Sequence, residues 1–111
     1  MYAIAFDMDQ EALAAHYPGN SPNNAYESVR RVLERFGFHR QQGSVYFGND
    51  TVTPVTCVMA VQAMQKRYPW FGKAVSDIRM LRIEEHSDLL PAIAELELEL
   101  EEPDANFATS A

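Results

Sequence analysis

The chain has 111 residues, 47% of them hydrophobic, with a single cysteine at position 57. That is enough for one core and too little for two, and it excludes an intramolecular disulfide, so a reducing, cytoplasmic setting is expected. The formal charge of −7 is uneven: residues 84–111 hold nine acids and no lysine or arginine, while residues 1–83 hold seven acids and all nine basic residues, so a basic body compatible with RNA stands behind an acidic tail.

Tyr2 to Asp7 alternates large and small side chains, which predicts a strand with Tyr2, Ile4 and Phe6 on one face and Ala3, Ala5 and Asp7 on the other. Asp9 is placed to cap a short helix over 10–16, and the cluster Pro18 to Asn24 breaks the chain into a loop. Tyr26, Val29, Val32, Leu33 and Phe36 recur at helical spacing over 24–36, with Gly37 as the C′ residue. Residues 38–48 read as two short strands or one bent strand with a bulge or bend at Gly43. Thr53 and Pro54 open a second helix that runs to about Tyr68, and Asp77 to Ile83 form a last strand. In the tail, Leu89, Ile93, Leu96 and Leu100 predict a helix over 88–101 capped by Ser87, against the alternative of a swapped strand in which Leu96, Leu98 and Leu100 alternate; no order is expected beyond Pro103. The N-terminus lacks a basic leader, and no apolar run reaches the ~18 residues that span a bilayer, so no membrane partner is expected.

Strand, helix, hairpin or bent strand, helix, strand is the order of a ferredoxin-like α+β sandwich, here over residues 1–93 with an acidic extension over 94–111. Both helices cover one sheet face. The other carries Ala3 and Ala5, whose small side chains permit close approach of a second copy, so a homodimer through that face is expected.

Asp7 ends the first strand on the open face, where its carboxylate is suited to hold a divalent cation such as Mg²⁺ or to act as a base, or simply to cap the following turn. Asp7-Met8-Asp9 also has the form of the haloacid-dehalogenase phosphatase motif, but the chain is too short for that fold and lacks its following residues. Parity assigns Val45 and Phe47 to the core and leaves Gln42, Ser44 and Tyr46 for the face of Asp7, as contacts for phosphate oxygens. Arg40, Arg79 and Arg82 supply guanidinium groups within reach of RNA phosphates. His16, His39 and His86 have no zinc-ligand spacing with one another or with Cys57.

MYAIAFDMD, GFHRQQGSVYF at 37–47 and SDIRMLRIEEHSD at 76–88 resemble the virulence-associated protein D family, over the chain to about residue 93. The pattern G-x-x-R-x-Q-x-S-V-Y is similar also to that of the small CRISPR-associated adaptation nuclease. The resemblance implies a dimeric, ferredoxin-like, toxin-like endoribonuclease in which Asp7 and Ser44 hold the catalytic positions, and it makes a protein antitoxin a candidate partner. On this reading Asp7 binds a metal or takes the 2′-hydroxyl proton, Ser44 positions the scissile phosphate, and Arg40 neutralises charge on the phosphorane. The alternative is a non-catalytic dimeric module that binds nucleic acid or protein on the same fold.

Overall fold

The computed structural model describes residues 1–101. Strand β1 (Tyr2–Met8) keeps the expected alternation: Ile4, Phe6 and Met8 are buried and Asp7 is exposed. Helix α1 (Gln10–His16) starts at Asp9, whose Oδ1 accepts the Ala12 N–H at 2.8 Å. The second aspartate of Asp7-Met8-Asp9 is thus spent on a helix cap, which removes it as an acid partner for Asp7.

Helix α2 (Pro22–Arg35) begins at its proline and buries Ala25, Val29, Val32 and Leu33, one stripe at helical spacing. It ends at Gly37, which has φ +92° and whose Cβ, if present, would lie 2.8 Å from Asn49 Nδ2. Strands β2 (Phe38–Gln42) and β3 (Val45–Gly48) form a hairpin, so the two-strand form of the prediction holds. Gly43, at φ +50°, makes the turn with Ser44, and the bulge lies instead at Gln41, where the register slips between Arg40 and Gln42.

Helix α3 (Pro54–Arg67) opens on a reciprocal cap between Thr53 and Thr56 and buries Cys57, Ala60 and Met64. A five-residue helix α4 (Trp70–Ala74), absent from the sequence expectation, follows Pro69. Its cause is tertiary: Trp70, Phe71 and Ala74 are buried, and Trp70 meets Tyr17 edge-on at 4.9 Å beyond the end of α1. Strand β4 (Val75–Arg82) consequently starts two residues before the expected Asp77.

The sheet order is β2-β3-β1-β4, antiparallel throughout, with α2 and α3 over one face. This is the ferredoxin-like α+β sandwich. Its core joins Ile4, Phe6, Phe38 and Tyr46 of the sheet to Val29, Leu33, Met64 and Phe71 of the helices. No helix among the described residues is long and apolar enough to cross a membrane.

Two placements differ from the sequence reading. Tyr46 pairs with Ile4 and Arg40, so it points to the helices and stacks on Phe6 at 6.1 Å; Val45 and Phe47 pair with Ala5 and Ala3 on the open face. The β1–β3 register, with Tyr46 opposite Ile4, sets this parity, and the bulge at Gln41 then brings Arg40 to the side of Tyr46. Ala3 is fully buried within one chain, because the segment after β4 turns back across the open face and sets the His86 ring edge-on to Phe47 at 5.2 Å. A contact with a second copy through Ala3 is therefore blocked, whereas Ala5 stays half-buried.

Helix α5 (Leu90–Glu101) bears out the helical reading of the tail and displaces the swapped strand. Its first turn is held by Asp88 rather than Ser87, the Asp88 carboxylate accepting the Leu90 N–H at 2.9 Å. Residues Leu90 to Leu100 are all exposed, so propensity rather than packing makes this helix. The expectation for the chain beyond Pro103 lies outside the described residues.

Candidate active site

The open face of β1 and β4 ends in two facing carboxylates. Asp7 pairs with Asp77, and the next pair is Met8 with Val75, so Ser76 is an extra residue bulged out of β4. Ser76 Oγ donates to the Asp7 carbonyl at 3.2 Å and secures the bulge. Bulges of this kind re-aim side chains at strand ends, and here Asp7 and Asp77 are the last pair before it.

The β2–β3 turn comes to the same place from the other side. The Phe6 N–H donates to the Ser44 carbonyl at 3.1 Å, tying the turn to β1 one residue before Asp7. Asp7, Asp77, Ser44, Ala5 and Val45 thus line one open cavity of about 200 Å³. The expected meeting of Asp7 and Ser44 takes place. Asp77 was missed as a site residue, since no local signal separates it from any polar residue opening a strand; only the antiparallel register sets it against Asp7.

Arg79, opposite Ala5 on the open face, donates through Nε to Asp77 Oδ1 at 3.0 Å and Oδ2 at 3.3 Å. Gln42, opposite Val45, shares this face. Arg40 does not, because it pairs with Tyr46 and lies on the helix-facing side, its Nε donating to the Gly43 carbonyl at 2.8 Å. There Arg40 and Tyr46 line a second cavity of about 470 Å³ with Tyr26 and Arg30, and Ser44 borders both cavities. Burial pushes the Tyr46 hydroxyl above its ordinary range, and the nearby Arg40 and Arg30 pull it partly back.

Like charges directly opposite on paired strands repel; Arg79 answers part of the Asp77 charge, and a cation between Asp7 and Asp77 would relieve the repulsion that remains. Two carboxylates and a hydroxyl are hard oxygen donors, and Mg²⁺ is commonly held by one or two carboxylates with substrate phosphates completing its shell. The donor set fits that ion. Among the described residues no cluster of three or more His, Cys, Asp or Glu forms a self-sufficient metal site. Cys57 is buried and desolvation raises its thiol, which removes it as a nucleophile.

Residues 1–89 match the family profile of CRISPR associated protein Cas2. The chain is 51% identical over 94 residues to endoribonuclease VapD 2 of Riemerella anatipestifer, covering 85% of this chain and 100% of that protein. It is 47% identical over 93 residues to an endoribonuclease VapD homolog of Helicobacter pylori, covering 84% and 96%. To endoribonuclease VapD of Dichelobacter nodosus it is 41% identical over 88 residues, covering 79% and 91%. Helix α5 begins after the end of the profile match. On this identity, carried over most of both chains together with the ferredoxin-like sheet order, the chain belongs to the VapD family, a relative of CRISPR associated protein Cas2.

Proposed function

We propose that this protein is an endoribonuclease acting at the cavity between Asp7, Asp77 and Ser44. The single observation that carries the reading is the meeting of Asp7 and Ser44 at one strand end in a chain whose relatives are named endoribonucleases. Ser44, on a turn tied to β1, donates its hydroxyl to a non-bridging oxygen of the scissile phosphate. The Asp7 carboxylate serves as a magnesium ligand with Asp77 or as the proton acceptor for an attacking 2′-hydroxyl, and the pairing with Asp77 favours the first. When bound, Mg²⁺ would supply charge neutralisation at the phosphate and a more acidic bound water. Arg79 and Gln42, on the same face, hold the flanking RNA backbone.

Replacing Ser44 with alanine is expected to lower cleavage of a labelled RNA about 10²-fold, the usual cost of removing one oriented donor, without altering the thermal midpoint. Undiminished cleavage by the purified variant would transfer the reading to a non-catalytic nucleic-acid- or protein-binding module.

The active form proposed is a cytoplasmic homodimer, toxin-like in role, with a protein antitoxin as a further partner. Ala5, still partly accessible, remains the residue of the open face through which a second copy approaches. The proposed contact uses no residue of the acidic extension, so deleting residues 94–111, which removes six acids, should leave the dimer intact in sedimentation. The same truncation should tighten RNA binding several-fold at low salt, on the order expected when a repelling charge is removed. Loss of the dimer would place the contact in the tail instead.

A further inference from the structure

Ser44 stands at a junction. On the open face it borders the cavity of Asp7 and Asp77, and on the helix-facing side it borders the larger cavity of Tyr26, Arg30, Arg40 and Tyr46. A strand of RNA whose scissile phosphate sits at Ser44 therefore passes around the β2–β3 turn from one cavity to the other. The two differ in charge, with two carboxylates in the first, and two guanidinium groups against the single carboxylate of Glu27 in the second.

We propose that the second cavity is a nucleotide subsite, which takes the phosphate and base next to the cleaved linkage. The proposal rests on RNA being the substrate. At about 470 Å³ the cavity is within the size range of small-molecule sites. Its two arginines are not equivalent. Arg30 is held by Glu34 at 2.8 Å and Glu27 at 3.2 Å, and its charge is largely answered. Arg40 forms no salt bridge among the described residues. Its Nε is fixed by the Gly43 carbonyl, which orients the guanidinium at the turn, so the unanswered charge of the cavity belongs to Arg40 and suits a phosphate.

The rest of the lining suits a base and sugar. Tyr26 is half-buried, and its hydroxyl accepts the Gln10 Nε2–H at 2.9 Å, which orients a phenol ring beside the cavity for contact with a base. Tyr46 is buried in the cavity wall, and its phenol hydroxyl is a donor for a sugar or base oxygen. Arg40 is thus a binding residue for the neighbouring nucleotide rather than the neutraliser of the phosphorane that the sequence suggested.

The test uses the full chain and adenosine 5′-monophosphate as the probe, followed through backbone amide shifts, with adenosine and inorganic phosphate as separate arms. The expected result is that the monophosphate moves amides of 23–30 and 40–46 and binds more tightly than either fragment. Arg40→Ala should weaken it at least about tenfold, the loss of a charge-assisted contact. In cleavage of an RNA oligonucleotide the same variant should raise KM by a similar factor while kcat falls less than twofold. Shifts confined to the surroundings of Asp7 and Asp77, or a fall in kcat at unchanged KM, would overturn the subsite and return Arg40 to the scissile phosphate. If the chain cleaves no RNA, the monophosphate titration still decides the subsite; if Arg40→Ala cleaves and binds like the parent, the subsite falls while cleavage stands. Arg40 is exposed, so its replacement should fold, and should it not, the titration of the parent protein decides alone.

Discussion

Asp7→Asn is expected to reduce RNA cleavage by a factor of about 10²–10⁴ while leaving the protein folded. The amide keeps the shape of the carboxylate but loses its basicity and its charge, so it serves neither as proton acceptor nor as a full magnesium ligand. The same change removes one of two carboxylates that face each other across β1 and β4, and the relief of that repulsion should raise stability by up to about 1 kcal/mol. A variant that is inactive yet slightly more stable is the signature of a residue kept for chemistry at the expense of the fold. Assaying the parent protein in magnesium and in chelator separates the two roles of Asp7: loss of activity in chelator assigns it to the metal, and equal rates assign it to the proton. An Asp7→Asn protein that cleaves like the parent would remove the Asp7 cavity from consideration as the active site.

Phe6→Ala should damage the fold itself. The Phe6 ring is 4% exposed, stacks on Tyr46 at 6.1 Å and meets Phe71 edge-on at 6.1 Å. Emptying a buried aromatic site costs about 3–5 kcal/mol, because both the transfer energy and the contacts of the neighbours are lost. A domain of this size has only about 5–15 kcal/mol in total, so urea denaturation should move most of the way toward an unfolded ensemble. The site is coupled to this core, since the Phe6 N–H holds the Ser44 carbonyl and the ring packs on Tyr46, one wall of the proposed nucleotide subsite. Activity should therefore fall together with stability, unlike in Asp7→Asn, where the two move in opposite directions. A loss under about 1 kcal/mol would show that the core closes around the vacancy, an outcome that dense packing does not predict.

Much of the fold is written in local chemistry. The alternation of Tyr2 to Asp7 sets which side of β1 meets the helices, because a strand has no other way to separate large side chains from small ones. Pro22, Thr53 and Pro54 start α2 and α3, and Gly37 ends α2 in a conformation that disfavours a Cβ. The tail also declared itself, since leucine and glutamate favour helix without any packing partner. What remained hidden depends on partners distant in the chain. The helix of Trp70 to Ala74 forms where its aromatic residues meet Tyr17 and the core, and the burial of Ala3 follows from a return of the chain that no pattern near Ala3 announces.

The candidate site divides along the same line. Asp7 at the end of an apolar strand, and Ser44 in the stretch that resembles a known family, could be named from the sequence by itself, because residue type and local pattern mark each of them. Their neighbours depended on register. The β1–β3 register turns Tyr46 to the helix side, a bulge at Gln41 brings Arg40 there with it, and the unbroken β1–β4 register sets Asp77 opposite Asp7, with a second bulge at Ser76 just beyond the pair. In a sheet, a shift of one residue exchanges the two faces, so the count that decides which side chains share a cavity is settled by hydrogen bonds between strands and only in the tertiary structure.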